Sequence, residues 1–339
     1  MIVGYKELLA QIQKDKPYLT DLHIVRFYSS YVIISKGKVI GMTDPCMRYC
    51  PLAEFLYKNL GSKDNLEGIK DMIREVVEEK IQKFGHFTEN RELIRNTIAV
   101  PYGASEMLMY AMQKKFIDAA VVVCEGAGTV IVDRPEIIQG IGARMNGVFF
   151  TTPINKIISK LKTDRCHVVS SSASINQLEG VKKAASLGYK NIAVTINASM
   201  EESFSLFRQV EESLKVSLTS LAICTTGINQ ARIKEISEYA DLAWSCASSN
   251  LREIIAPDAI LQVSKKIPVF VLTKKGLDFI SRYSSDQKLI ENLSLNKQYI
   301  ICNNGNGKSL KMGKFNVFVS EAKLPVRDKK EPQMLVYGN

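Results

Sequence analysis

Cys46 and Cys50 are the residues whose types and spacing speak most directly of chemistry. They flank Met47, Arg48 and Tyr49 in an irregular loop bounded by Pro45 and Pro51. Two thiolates at this spacing can share one soft or borderline metal ion or a cluster. Two ligands leave a coordination shell open. Cys124, Cys246 and His86 are the candidates to complete it, provided the fold brings them close. A cluster of the radical S-adenosylmethionine type needs a further cysteine where the chain has Ala53. The plainer reading of these cysteines is small, buried apolar residues.

A second group of residues lies where short apolar runs end: 124–129 (CEGAGT), 170–174 (SSSAS), 224–227 (CTTG) and 246–250 (CASSN). Gly126, Gly128, Thr129, Ser171, Thr225, Thr226, Gly227 and Ser248 are the expected binding residues there. Small and hydroxyl residues leave backbone N–H groups open at helix starts, which suits a phosphate or carboxylate. Each loop alone also reads as an N-cap or tight turn. Four of them on one sheet edge point to a site. Glu125 follows an apolar run directly, where desolvation can raise a carboxyl pKa, and it is the candidate proton-transfer residue. Known phosphate motifs fail. GxGxxG needs glycine where the chain has Ile131 or Met145, and a Walker A loop ending at Gly307–Lys308–Ser309 needs one at Cys302. His23 and His167 fall in strand-like runs and read as structural.

These residues need a scaffold. Residues 66–84 carry apolar side chains at helical spacing and stop at Gly85, and 104–116 reads as another helix. The runs 119–124, 167–170, 191–197, 221–225, 241–246, 268–273 and 316–319 read as strands, with helical segments between most of them. Such alternation implies right-handed crossovers and an α/β fold with a mostly parallel sheet flanked by helices. Residues 23–34 and 38–42 add a small N-terminal β-hairpin. The expected organisation is an N-terminal hairpin and helical region over 1–100, an α/β domain over 101–325 and a tail over 326–339. On a parallel sheet, ligands sit beyond the carboxyl ends of the strands, where the second group of residues falls.

Composition narrows the classes. The chain has 339 residues, 46% apolar and 24% charged, enough for one large domain or two modest ones. No apolar run reaches bilayer length, and the first residues lack the apolar core of a secretory signal. Seven cysteines without an export signal fit reduced thiols, so a cytoplasmic setting is expected. The net charge of +10 is scattered, and aromatic residues are not interleaved with basic ones as in RNA-binding motifs. Nucleic acid and membrane are therefore not expected partners. A small anionic ligand and further copies of the chain are.

The run Tyr49–Cys50–Pro51–Leu52 resembles a motif of the methanogenesis marker protein 8 family. So do Gly103–Ala104–Ser105–Glu106, the run from Cys124 to Val130, and Gln139–Gly140–Ile141–Gly142. The resemblance continues through Glu179–Gly180–Val181, Thr225–Thr226–Gly227, Cys246–Ala247–Ser248 and the run from Ala322 to Val326. It is collinear from about residue 30 onward. It implies an anaerobic archaeal setting more than a reaction. Departures stand out: an N-terminal extension, His86–Phe87 where relatives tend to carry cysteine, and Cys224 where they tend to carry histidine. These exchanges among metal-capable residues imply a paralogue with its own task. The expectation drawn from the resemblance is metallocofactor assembly, as in making the iron-guanylylpyridinol cofactor of Fe-hydrogenase, with iron or an iron–sulfur cluster bound and a cofactor precursor and other cofactor-maturation proteins as partners. The alternatives are a metal-free enzyme acting on a small phosphorylated or carboxylated metabolite and a non-catalytic subunit of a methanogenesis complex.

Overall fold

The computed structural model describes residues 4–57 and 65–334. Helix α1 (Tyr5–Asp15) precedes a meander of β1 (His23–Phe27), β2 (Ser30–Ser35) and β3 (Lys38–Met42), then the short β4 (Met47–Tyr49). Helices α2 (Pro51–Leu56), α3 (Leu66–Phe84) and α4 (Ala104–Gln113) lead to β5 (Ala119–Cys124) and β6 (Gly128–Val132). Next come α5 (Pro135–Gly142), β7 (Gly147–Thr151), α6 (Asn155–Thr163), β8 (His167–Val168) and α7 (Gln177–Ser186). Then β9 (Asn191–Asn197), α8 (Phe204–Leu214), β10 (Ser217–Ile223), α9 (Gln230–Tyr239), β11 (Leu242–Trp244) and α10 (Ser249–Ile255) alternate. The remaining elements are β12 (Leu261–Val263), β13 (Val269–Val271), α11 (Lys274–Ser281), α12 (Gln287–Glu291), β14 (Tyr299–Cys302), β15 (Lys308–Met312), β16 (Phe315–Glu321) and β17 (Gln333–Met334).

The large sheet runs β15-β16-β14-β12-β13-β11-β10-β9-β5-β6-β8. The expectation of an α/β chain holds, but that of a mostly parallel sheet needs correction. β5, β9, β10 and β11 are mutually parallel, and β12 is parallel to β14. Every other pairing in this sheet is antiparallel. The physical reason is connection length. Helices α8 and α9 carry the chain back between β9, β10 and β11, as a parallel step requires. Only residues 125–127 join β5 to β6, too few for a crossover, so the chain reverses as a hairpin. Gly313 and Lys314 do the same between β15 and β16.

Helices cover both faces of this sheet. Ala119 and Val121 pack with α7, α8 and α9 through Val181, Phe207 and Ile236. Their neighbours Ala120 and Val122 pack with α4 and α5 through Leu108, Met112 and Ile138. This alternation of faces is the two-residue strand period. The smaller sheet runs β3-β2-β1-β7, so it draws its fourth strand from residues 147–151. One of its faces packs on α3, with Val25, Val32 and Ile34 against Ile73, Val76 and Val77. The other packs on α1 through Ile24, Tyr31 and Ile12. Helix α3 starts where the Asn65 side chain accepts a hydrogen bond from the Gly68 N–H at 2.7 Å, and it ends at Gly85 with φ +68°. Finally, β17 pairs with β4, tying residues 333–334 to the cysteine loop. No helix among the described residues is long and apolar enough to cross a membrane.

Candidate functional site

A cleft of about 860 Å³ opens between the carboxyl edge of the parallel strands and the smaller sheet. Asn197, Cys224 and Cys246 reach it from the ends of β9, β10 and β11. Arg26, Tyr28 and Ser29 come from β1 and its turn, Cys50 and Tyr57 from either end of α2, Lys80 from α3 and Arg144 from the segment before β7. Phe27, Tyr102, Trp244 and Phe315 give the wall an aromatic lining.

Five buried polar atoms on this wall have no hydrogen-bond partner among the described residues: Arg26 Nε, Ser29 Oγ, Tyr57 OH, Arg144 Nε and Asn197 Nδ2. A buried donor left unpaired costs about 1–3 kcal/mol. Arg26 and Arg144 bring two guanidinium groups to the lining, so the cleft suits an anionic ligand rich in acceptor oxygens.

The backbone is strained at the same place. Cys224 has φ +57° and Cys246 φ +46°, in the left-handed region. That conformation costs an L-residue about 1–2 kcal/mol and gathers at functional sites. Thr225 Oγ1 donates to the Trp244 carbonyl at 2.6 Å, holding one turn on the other. Thr226 Oγ1 accepts from the Ala247 N–H at 3.1 Å.

Burial and neighbouring charges displace the titrations of the wall's ionisable groups. Burial pushes the Cys224 thiol up to about 12, Cys246 adds to the rise, and the Arg26 guanidinium opposes it. Burial also raises Cys50 and Cys246, against backbone N–H groups that favour their thiolates. Cys246 raises both Cys50 and Cys224, so the three thiols share one region of the cleft. As neutral thiols they are poor nucleophiles. Lys80 shows the opposite displacement. Burial first, and the Arg144 charge second, bring its ammonium down to about 7.

The residues expected from sequence divide into two sets. Cys50, Cys246 and Thr226 lie on the cleft wall, and Thr225 is buried beneath it. Ser248 caps α10 by accepting from the Leu251 N–H at 3.2 Å. Gly227 and Ser171 are exposed. Gly126, Gly128 and Thr129 form the β5–β6 hairpin, off the cleft wall. Its N–H groups are spent internally: Gly126 donates to Thr151 Oγ1 at 2.7 Å, Ala127 to the Cys124 carbonyl at 3.1 Å and Thr129 to the Ser174 carbonyl at 3.1 Å. Glu125 is fully buried and ion-paired with Arg91, whose Nη2 also holds the Gly140 and Ile141 carbonyls at 2.9 and 3.0 Å. Cys124 lies beside it, with Sγ 3.4 Å from the Glu125 carbonyl oxygen. His86 is buried between Phe84 and Phe87, and burial with the nearby arginine and lysine charges keeps it neutral. Cys46 is half-buried, and its N–H donates to the Tyr28 carbonyl at 3.2 Å. Of the expected ligand set, Cys50 and Cys246 line the cleft, whereas Cys46, Cys124 and His86 are not among its lining residues. Among the described residues no three His, Cys, Asp or Glu side chains group so as to hold a metal ion.

Sequence reasoning missed Arg26, Lys80 and Arg144 as wall residues. One signal was present. Lys80 continues the apolar stripe of α3, one turn past Val76 and Val77, where a solvated lysine does not belong.

Residues 23–284 match the model of a family described as an uncharacterized protein conserved in archaea, DUF2099. A protein of Methanocaldococcus jannaschii, itself described as uncharacterized, is 37% identical over 256 residues, which cover 75% of this chain and 87% of the relative.

Proposed function

We propose, for a chain that belongs to the archaeal family DUF2099, that the cleft binds a sizeable anionic organic ligand with an aromatic part, as a step in metallocofactor assembly. The observation that carries this reading is the pair of arginines, Arg26 and Arg144, lining a cleft that also has an aromatic wall. Arg26 and Arg144 supply positive charge, and the aromatic lining accepts a planar ring. A nucleotide-bearing pyridine of the iron-guanylylpyridinol kind has this chemistry. A resident metal or cluster held by protein ligands alone does not fit the described residues, so no step is routed through one. Iron enters the proposal as cargo, meeting the thiols of Cys50, Cys224 and Cys246 only with further donors from the organic ligand.

Two measurements test this. Guanosine monophosphate, inorganic phosphate and a pyridine carboxylate are screened by thermal unfolding. One or more of the organic anions should raise Tm by several degrees, and Arg144→Gln should abolish the shift. Anaerobically purified protein is then assayed for iron beside Cys50→Ser. Iron retained only with bound organic ligand, and lost in the variant, supports the cargo role. No stabilisation by any organic anion sinks the reading. Stabilisation without iron under any condition favours the metal-free reading, an enzyme for a small phosphorylated or carboxylated metabolite.

A further inference from the structure

Lys80 is placed as few lysines are. Its residue is 5% exposed and sits on the buried face of α3 with Ile73, Val76, Val77 and Ile81. Its Nζ donates to Asn146 Oδ1, a neutral acceptor. Among the described residues it has no carboxylate partner. The ammonium position lies 4.8 Å from the Phe27 ring centroid and 5.6 Å from that of Tyr57. The side chain nevertheless lines the cleft, beside Tyr57 and Arg144. A charged amine without a counter-ion is costly in such surroundings, and lysine responds by losing its proton. The groups acting on it are Arg144 from the segment before β7, Cys50 from the start of α2 and Glu79 on its own helix. His86 feels it in turn, and Tyr57 packs against it. Its bond to Asn146 uses an N–H, so a neutral nitrogen keeps its lone pair out of that contact.

We propose that Lys80 is an amine nucleophile that condenses with a carbonyl group on the anionic ligand of the cleft, holding it as an imine. The proposal rests on the anion-binding reading above and names the ligand class more closely: an aldehyde or ketone that also carries a carboxylate or phosphate. The lone pair of Nζ attacks the carbonyl carbon, and the carbonyl π electrons move to oxygen. A proton passes from nitrogen to that oxygen, giving a carbinolamine, and loss of water leaves the C=N bond. The balance is amine plus carbonyl to imine plus water, with nothing oxidised or reduced. Arg144, with its unpartnered Nε, is the group on the wall to receive the ligand's negative charge. The neutral thiols nearby do not compete in a reductive trap, because a thiohemiacetal yields no stable adduct with hydride.

The test uses 4-carboxybenzaldehyde at limiting concentration with cyanoborohydride, followed by peptide mass mapping. At pH 7 an ordinary exposed lysine is neutral in about one molecule in 2,500, so surface labelling is slow. The α-amino group, which titrates at about pH 8, is labelled in every variant; among the lysines labelling is expected at Lys80 alone, with its rate half-maximal near pH 7. It should fall at least about tenfold in Lys80→Met and in Lys80→Arg, both checked for folding by circular dichroism. Adducts scattered over exposed lysines, or equal labelling of a folded Lys80 variant, would overturn the proposal. Terephthalate, which has the ring and charge without the aldehyde, separates the two readings. If terephthalate raises Tm but the aldehyde leaves no adduct, the imine falls and the anion-binding cleft stands. If neither it nor any other organic anion acts, both fall.

Discussion

A carboxylate and a guanidinium shut away from water hold each other in place, and Glu125 and Arg91 are such a pair, with side chains 0% and 2% exposed. Arg91 also fixes the end of α5 through two carbonyls, so its charge cannot leave without disturbing that helix. Glu125→Gln would keep the shape and remove the charge. It should cost roughly 3–5 kcal/mol in urea unfolding, because an uncompensated guanidinium stays buried. Little loss would mean that water reaches this pair. Lys80 gives a pH prediction. Its folded pKa of about 7 lies below that of the unfolded chain. Between these values the unfolded state binds the proton and the folded state does not, so stability rises with pH across that window. Below pH 7 both states are protonated and the burial penalty is complete, on the order of a few kcal/mol. Lys80→Met should therefore be more stable than wild type at neutral pH. The gap should narrow towards pH 10, read from urea midpoints across the range.

Elements set which of these residues meet. Gly128 opens β6 at φ +70°, and a Cβ there would lie 2.3 Å from the Ala173 carbonyl oxygen. Gly128→Ala should cost about 2–4 kcal/mol, from the left-handed backbone and the collision together, as a fall in Tm. The same hairpin shows how far the sequence could be read. The helix over residues 66–84 and the runs 119–124 and 191–197 are legible, because each keeps its period over many residues. Strand direction is less so. Gly128 and Thr129 read as loop residues for an anion, whereas they begin a strand joined to its partner by only three residues. The rule that ligands gather at carboxyl ends of parallel strands finds Cys246 and Thr226, because β10 and β11 are joined by a helix. It fails after β5, where the next step is a hairpin. Arg26, Lys80 and Arg144 escape because their meaning comes from burial by distant segments. Lys80 alone betrays itself locally, as a charge in an apolar stripe.

At the scale of the molecule, the cleft wall is assembled from segments far apart in the chain and fastened by a strap. Glu331 lies 2.9 Å from the buried Arg252, while Arg252 Nε donates to Ser245 Oγ at 3.2 Å and its Nη2 to the Cys246 carbonyl. The strap is thus bonded to the strained turn as well as to β4. Glu331→Gln should loosen both. Amide exchange in β4 is expected to quicken about tenfold or more, and stability to fall by about 2–4 kcal/mol. Unchanged exchange would show that the strap is held by its strand pairing alone. The pairing of β1 with β7 and of β4 with β17 also carries a consequence for synthesis. A ribosome adding about 5–20 residues per second exposes the edge of β1 for roughly ten seconds before β7 can emerge. The edge of β4 waits longer still, until residues 333–334 are free of the exit tunnel. A nascent chain therefore spends roughly a third of its translation as an open meander in need of shelter, and a truncated one has an edge to offer its neighbours where the finished protein has a wall.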